Sequence, residues 1–144
     1  MHANEQPVVI TGIGVLACNG IGRERFWSAL KAGESGIRRI DRFDPAELPC
    51  HIGGQLWDFR PEDFMRKRVV RNWCRHVHQA VAGAKLAVED ADLAKAGYDP
   101  ERIAAGIGTS VGSPNEEYRA HQEAIESMGF KTLGKLASSK FTGH

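Results

Sequence analysis

Two apolar stretches that end in glycine-rich segments dominate the pattern of the chain. The first runs from Pro7 to Leu16 and the second from Ile103 to Val111, and neither alternates with polar residues. A continuous apolar run is typical of a strand that is buried on both faces of a sheet. The pattern therefore predicts two buried strands, each with a glycine cluster at its carboxyl end.

Helices are predicted from the apolar period and from signals at helix ends. The longest covers about residues 69–91, where apolar side chains recur every three or four positions. A shorter helix covers residues 23–32, and Gly33 follows it in the place of a left-handed C-cap. Pro61 is well placed as the first residue of a short helix, and Pro114 as the first residue of another.

The order of these elements indicates a fold class. Residues 34–49 are predicted to be mostly loop, and residues 52–56 to form a short strand. The resulting sequence of strand, helix, long helix, strand and helix is typical of an α/β layer with a largely parallel sheet. Ligands of such sheets bind at the carboxyl ends of the strands, so both glycine clusters are predicted to lie on the functional edge.

Composition narrows the class of protein. The chain has 144 residues, of which 42% are hydrophobic and 26% charged, which is typical of one soluble globular domain. The formal net charge of +1 excludes nucleic-acid binding through bulk charge. Residues 1–7 contain no signal-peptide core, and the apolar runs are too short for a membrane span. We therefore expect a cytoplasmic protein with no nucleic acid and no membrane as a partner.

The cysteines and histidines do not predict a metal site or a nucleophile. Cys18, Cys50 and Cys74 are far apart in sequence and form no Cys-x-x-Cys pair, which favours reduced thiols. Cys74 and His78 share a helix face while His76 points away, and two ligands do not make a metal site. No cysteine has a local base and an oxyanion hole that would identify it as catalytic.

The first glycine cluster contains a possible nucleotide motif. Gly12-x-Gly14-x-x-Ala17 follows the first predicted strand and fits the dinucleotide fingerprint. In that fingerprint the helix begins inside the motif, whereas residues 19–22 delay it, and only Asp41 is a formal candidate for the ribose-binding acid. We prefer a tight exit from a strand, and a dinucleotide-binding domain remains an alternative.

The second glycine cluster covers residues 106–112 and permits a close approach of the backbone to a ligand. Thr109 and Ser110 could donate hydrogen bonds there, and Val111 could line an apolar pocket. A packed strand end without a ligand is an equally good interpretation of the residues alone.

Positive charge is concentrated around the start of the longest predicted helix. The cations are Arg66, Lys67, Arg68, Arg71 and Arg75. Such a patch can hold phosphates or an acidic protein surface. On the residues alone, a helix end that is simply solvated is the favoured interpretation.

Taken in order, several segments of the chain resemble the β-ketoacyl-acyl-carrier-protein synthases, a family of thiolase-like condensing enzymes. They are residues 8–15 (VVITGIGV), 26–30 (FWSAL), 31–37 (KAGESGI), 42–45 (RFDP), 52–54 (IGG), 87–93 (AVEDADL) and 107–112 (IGTSVG). Each motif is short, but together and at the family's spacing they are specific, and they cover about residues 7–113.

The resemblance implies a fold and a reaction. Residues 1–144 would be the N-terminal portion of a synthase domain, an incomplete half of an α/β, thiolase-like layered fold with a mainly parallel sheet and packed helices. The reaction implied is decarboxylative Claisen condensation in fatty acid or polyketide biosynthesis. Its partners would be an acyl carrier protein and malonyl and acyl thioesters, without a cofactor or metal, in a homodimer or heterodimer. The nucleophilic cysteine belongs after the region of His144 and the histidines later, so the chain alone is expected to be inactive.

Two non-catalytic roles follow from the resemblance. Val111 corresponds to the family position that gates the acyl pocket, beside Gly112. Arg68 and Arg71 correspond to basic positions at which the acidic carrier protein docks. In this interpretation the basic patch is a docking surface and not a solvated helix end.

The chain also departs from the family pattern. Trp73 and Cys74 occupy the positions of the usual Met-Asp pair, and Asn72 occupies the next docking position, where a base is usual. A divergent subfamily is one explanation. The alternative is a non-catalytic subunit that binds the carrier protein or forms a dimer.

Overall fold

The computed structural model describes residues 7–109, 118–119, 122–123 and 125–127. The helices are α1 (Arg23–Ala32), α2 (Lys67–Asn72) and α3 (Arg75–Asp90), and the strands are β1 (Leu16–Ala17), β2 (Gly20–Ile21), β3 (Ile37–Arg39) and β4 (Ile52–Gly54). Turns of 3-10 helix cover Pro61–Asp63, Leu93–Lys95 and Pro100–Arg102. The chain divides into two compact units, formed by the described residues of Met1–Asp58 with Ala84–Arg102 and of Phe59–Gly83 with Ile103–His144.

The strands of the first unit form two small antiparallel ladders. β1 pairs with β2, with Leu16 opposite Ile21, and β3 pairs with β4, with Ile37 opposite Gly54. The β4 strand confirms the predicted strand after residue 51, whereas β3 lies in the segment that was predicted to be mostly loop. The sequence gives no alternation at β3, so its pairing with β4 was not predictable from the pattern.

The two long apolar stretches do not form strands over most of their length. Residues 7–15 and 103–109 have no regular structure, and Val8 and Ile10 are 99% and 84% exposed. A buried parallel strand needs neighbours on its edges and cover on its faces. Residues 7–15 and 103–109 belong to neither of the two described ladders, so the strand predictions are not met over these residues. The mainly parallel sheet stays a prediction.

Helix α1 confirms the predicted bounds and the predicted cap. Gly33 lies in the left-handed region at φ 67° and ψ 23°, where a side chain is disfavoured. The Gly33 amide donates to the Leu30 carbonyl at 3.1 Å, and the Glu34 amide donates to the Ala29 carbonyl at 2.9 Å. These two bonds satisfy carbonyls that the helix end leaves without partners. The glycine after the last turn was therefore a sufficient signal to predict where α1 ends.

The long predicted helix is divided into two helices. α2 ends at Asn72, Trp73 is extended at φ −122° and ψ 152°, and α3 begins at Arg75. The Cys74 carbonyl then accepts the amides of Val77 and His78 at 3.1 and 3.2 Å. The apolar period continues on both sides of Trp73, which is why the pattern predicted one continuous helix.

Each unit has a small buried core in the described part of the chain. Ala29 of α1 is buried in the first unit, and Phe59, His78 and Ala82 are buried in the second. Pro61 begins a turn of helix, as predicted. The described residues within the helix expected after Pro114 are helical, and Pro114 itself lies outside the described residues. None of the described helices has the length and apolar content that a membrane span requires.

Candidate functional site

The basic surface is built on α2, which turns its cations and its apolar side chains in opposite directions. Val69 and Val70 are half-buried, whereas Arg68 and Arg71 are exposed. At about 100° per residue the two arginines are only ~60° apart around the helix axis. They share the centre of the solvent face, and Lys67 lies beside them on the same face.

Three cations of this surface form no ion pair within the described residues. The first turn of α2 contains no acidic residue, and Arg71 lies in its last turn. Within the described residues, no ion pair or hydrogen bond engages the side chains of Lys67, Arg68 or Arg71. The face therefore presents positive potential to an approaching anion or acidic protein.

Arg75 differs from the other four cations of the predicted patch. It is half-buried, and its guanidinium carbon lies 5.3 Å from the centre of the Phe59 ring. Phe59 in turn stacks on Phe64, with ring centres 5.8 Å apart and planes 29° apart. Arg75 is thus held against an aromatic cluster in the second unit, and the exposed patch consists of Arg66, Lys67, Arg68 and Arg71.

Two predicted site residues cannot be placed. Val111 and Gly112, the expected acyl-pocket residues, lie outside the described residues, as does Ser110. The part of that segment that the structure does describe, from Gly106 to Thr109, is exposed and has no regular structure. The acyl-pocket role of Val111 and Gly112 stays a prediction.

The first glycine cluster makes a close contact with a helix. A Cβ atom on Gly12 would lie 2.6 Å from the Ala91 amide nitrogen and 2.7 Å from the Ala91 Cβ, so no other residue fits without displacement. Helix α1 begins at Arg23, after the β1–β2 ladder, and not inside the Gly12 motif. The arrangement is therefore a tight packing contact at the end of α3. It lacks the glycine turn opening into a helix that would cradle a pyrophosphate.

An unpredicted network fixes the same segment. The Ile13 amide donates to Asp90 Oδ2 at 2.9 Å, and Arg23 Nη1 pairs with Asp90 Oδ1 at 2.8 Å. The hydrogen bond from Arg23 to Glu24, and after it the charge of Asp90, raise the pKa of Arg23 above its ordinary value. Asp90 ends α3, where the helix dipole disfavours an anion, and these two donors compensate for that position. Partners 77 residues apart leave no local signal in the sequence.

Cys18 and Cys50 are in no catalytic arrangement with a described base. No described base hydrogen-bonds to the half-buried thiol of Cys18, and the exposed Cys50 donates to the Ile52 carbonyl at 3.3 Å. Among the described residues no three His, Cys, Asp or Glu side chains are grouped as metal ligands. His78 is buried, and its Nε2 atom has no hydrogen-bond partner in the described part of the chain.

Comparison with known sequences gives consistent matches. A family model described as the N-terminal domain of β-ketoacyl synthases matches residues 5–142. The ketoacyl synthase alpha subunit of the tetracenomycin polyketide synthase from Streptomyces glaucescens is 42% identical over 112 residues, which is 77% of this chain and 26% of that protein. The beta subunit from the same organism is 36% identical over 115 residues, 78% of this chain and 27% of that protein.

Relatives from fatty acid synthesis and a solved structure match as well. The 3-oxoacyl-[acyl-carrier-protein] synthase 2 of Vibrio cholerae is 32% identical over 123 residues, 85% of this chain and 30% of that protein. The ishigamide ketosynthase/chain length factor aligns with a TM-score of 0.68 and 25% identity, over 92% of this chain and 33% of that one. The chain thus spans about a quarter to a third of the length of the relatives that it matches.

Proposed function

Because this chain belongs to the β-ketoacyl synthase family, we propose that it supplies the N-terminal part of an acyltransferase that performs decarboxylative Claisen condensation. The proposal carries over to this chain the activity named in its curated relatives, which include both polyketide and fatty acid synthases. In this proposal the chain forms part of a thiolase-like layered fold with a mainly parallel sheet. The complete enzyme is a cytoplasmic homodimer or heterodimer.

The α2 surface is the proposed docking site for an acyl carrier protein. One observation carries this assignment, namely that Arg68 and Arg71 lie together on the exposed face of α2 and form no ion pair within the described residues. Acidic surfaces bind to such a face because complementary charges steer the encounter and fix its orientation. Val111 and Gly112 complete the proposal as residues of the acyl pocket.

Binding of a holo-acyl carrier protein at about 50 mM salt tests the docking site, since screening is weak there. Arg68→Glu and Arg71→Glu should each weaken binding at least ~10-fold, because each brings a like charge to the acidic partner. Arg25→Glu is the matched control, since Arg25 is exposed on α1 and its substitution changes the net charge equally. If all three variants bind equally well, α2 is not the docking surface.

Condensation needs a thiolate that is held at a helix N-terminus or beside a base, with groups that stabilise the developing charge. Neither Cys18 nor Cys50 begins a helix or hydrogen-bonds to a described base, and Cys74, which directly precedes α3, falls outside the family's nucleophile motif. We therefore expect the 144-residue chain, given malonyl-carrier protein, to release no carbon dioxide above the rate of a sample in which Cys18, Cys50 and Cys74 are replaced by alanine. Turnover that disappears on replacement of one of these cysteines would contradict the assignment.

A non-catalytic partner subunit is the second candidate. The match to a ketoacyl synthase beta subunit and to a ketosynthase/chain length factor supports it, and Trp73 and Cys74 fit it as well as they fit a divergent subfamily. A gene product that contains these residues should be incubated with acyl-carrier protein and weighed intact by mass spectrometry. A covalent acyl adduct supports the condensing enzyme, and carrier binding without an adduct supports the partner subunit.

A further inference from the structure

The segment that carries the basic surface is closed by an arginine–aromatic contact. Phe59 and Phe64 precede α2, and Arg75 follows it as the first residue of α3. Arg75 lies over the ring of Phe59, which is buried and stacks on Phe64. The contact therefore joins the two ends of the segment 59–75, and α2 lies within the closed segment.

Helix α2 depends on its surroundings for its shape. It has six residues, and a helix of that length is not stable by itself in water. Its flanking residues Arg66 and Trp73 are both extended, so neither end is continued by a longer helix. Contacts that fix the flanks of α2 consequently determine where its exposed arginines lie.

The location of Arg75 is not explained by the electrostatics of its own helix. It is the first residue of α3, where the helix dipole disfavours a cation, and it is half-buried. A guanidinium over an aromatic face is favoured by the ring's quadrupole and by planar stacking, which a lysine ammonium does not reproduce equally. The ring contact therefore favours an arginine over a lysine at this position.

We propose that Arg75 is a positioning residue for carrier docking: it fixes α2 through Phe59 and so orients Arg68 and Arg71 without itself contacting the carrier protein. The inference rests on the proposed docking site. It adds Arg75 to the residues on which carrier docking depends, although the Arg75 side chain is outside the exposed patch. It also predicts that the shape of the cation matters at position 75 and not only its charge.

Arg75→Lys is the first test, because it keeps the charge and loses the planar stacking. Carrier affinity should fall ~3- to 10-fold, whereas the control Arg60→Lys, at an exposed arginine of the same segment, should bind like the wild type. Phe59→Leu should reproduce the loss, and the double variant should lose no more than either single variant. Wild-type affinity in Arg75→Lys overturns the inference.

A double-mutant cycle separates positioning from direct docking. If Arg75 acts through the arginines of α2, Arg75→Lys should have little effect once Arg68 and Arg71 are both alanine. Loss factors that multiply independently would instead assign Arg75 to the docking surface and overturn the inference.

Hydrogen exchange without any carrier protein tests the structural step independently. The amides of Val70 and Trp73, which donate to Arg66 and Val69 within this segment, should exchange at least ~5-fold faster in Arg75→Lys than in Arg60→Lys. Unchanged exchange overturns the inference whether or not the protein binds carrier. If exchange rises but Arg68→Glu leaves carrier binding intact, the docking function fails, and the effect of the Arg75–Phe59 contact on α2 stands.

Discussion

At the scale of residues, one glycine of the N-terminal segment has a purely steric role. Gly12 lies against the backbone of Ala87 and Ala91 near the end of α3, and the adjacent Ile13 amide is held by Asp90. The two contacts act together, because the hydrogen bond requires the close approach that only glycine permits. The motif that resembled a nucleotide fingerprint is therefore explained by packing within the first unit.

Gly12→Ala should lower the free energy of unfolding by about 1–3 kcal/mol, because an added methyl group has to displace helix backbone. Urea unfolding followed by circular dichroism measures the change. Gly106→Ala is the control, since a Cβ at Gly106 meets no atom within 4 Å, and it should leave the midpoint nearly unchanged. Equal midpoints for Gly12→Ala and the wild type would show that the segment does not pack on α3 in solution.

At the scale of elements, the C-terminal cap of α1 shows whether backbone conformation alone explains why a glycine is found there. Gly33 has positive φ and no atoms near its Cβ position, so a substitution there meets no steric obstacle outside its own backbone. Gly33→Ala should destabilise the protein by about 1 kcal/mol, and Gly33→Asn by less, since asparagine tolerates the left-handed region better. Thermal melting of the two variants checks this order. The reverse order would exclude the left-handed cap.

Elements with local signals were predictable and elements with distant partners were not. Helix α1 has a period, a glycine cap and short-range bonds, and all of these are visible in the sequence. Strand β3 exists through its pairing with β4, and Asp90 has partners on two distant segments. The break at Trp73 escaped prediction for a further reason, because the apolar period is in phase on both of its sides.

The candidate site divides in the same way. The cluster of cations is visible in the sequence and the family resemblance singles out Arg68 and Arg71, whereas α2 as a separate helix was not predicted. The different role of Arg75 was not predictable either, because only the structure brings its guanidinium to Phe59, 16 positions earlier in the chain. A cluster of cations in the sequence therefore specified the charge of the region but not which of its members face solvent.

At the scale of the whole molecule, the main difference between the sequence-based prediction and the structure is the exposure of the apolar stretches, which were predicted to be buried. A run such as residues 7–10 is typical of the centre of a parallel sheet, yet Val8, Val9 and Ile10 are exposed here. The relatives are three to four times longer than the aligned region, so they have further polypeptide that can cover such a stretch. The exposed state and the buried state make opposite predictions for one substitution.

Ile10→Lys distinguishes them. In the structure Ile10 is 84% exposed, so a lysine there should change the free energy of unfolding of the 144-residue chain by no more than ~0.5 kcal/mol. Ala82→Lys is the positive control, because Ala82 is fully buried in α3 and an unpaired charge at that position should cost several kcal/mol. Urea unfolding of both variants gives the comparison.

If Ile10→Lys is as damaging as Ala82→Lys, residues 7–10 are buried in solution, and the strand that the pattern predicts exists in this chain. If Ile10→Lys is neutral here but destabilises a longer synthase that contains these residues, the covering surface comes from that additional polypeptide.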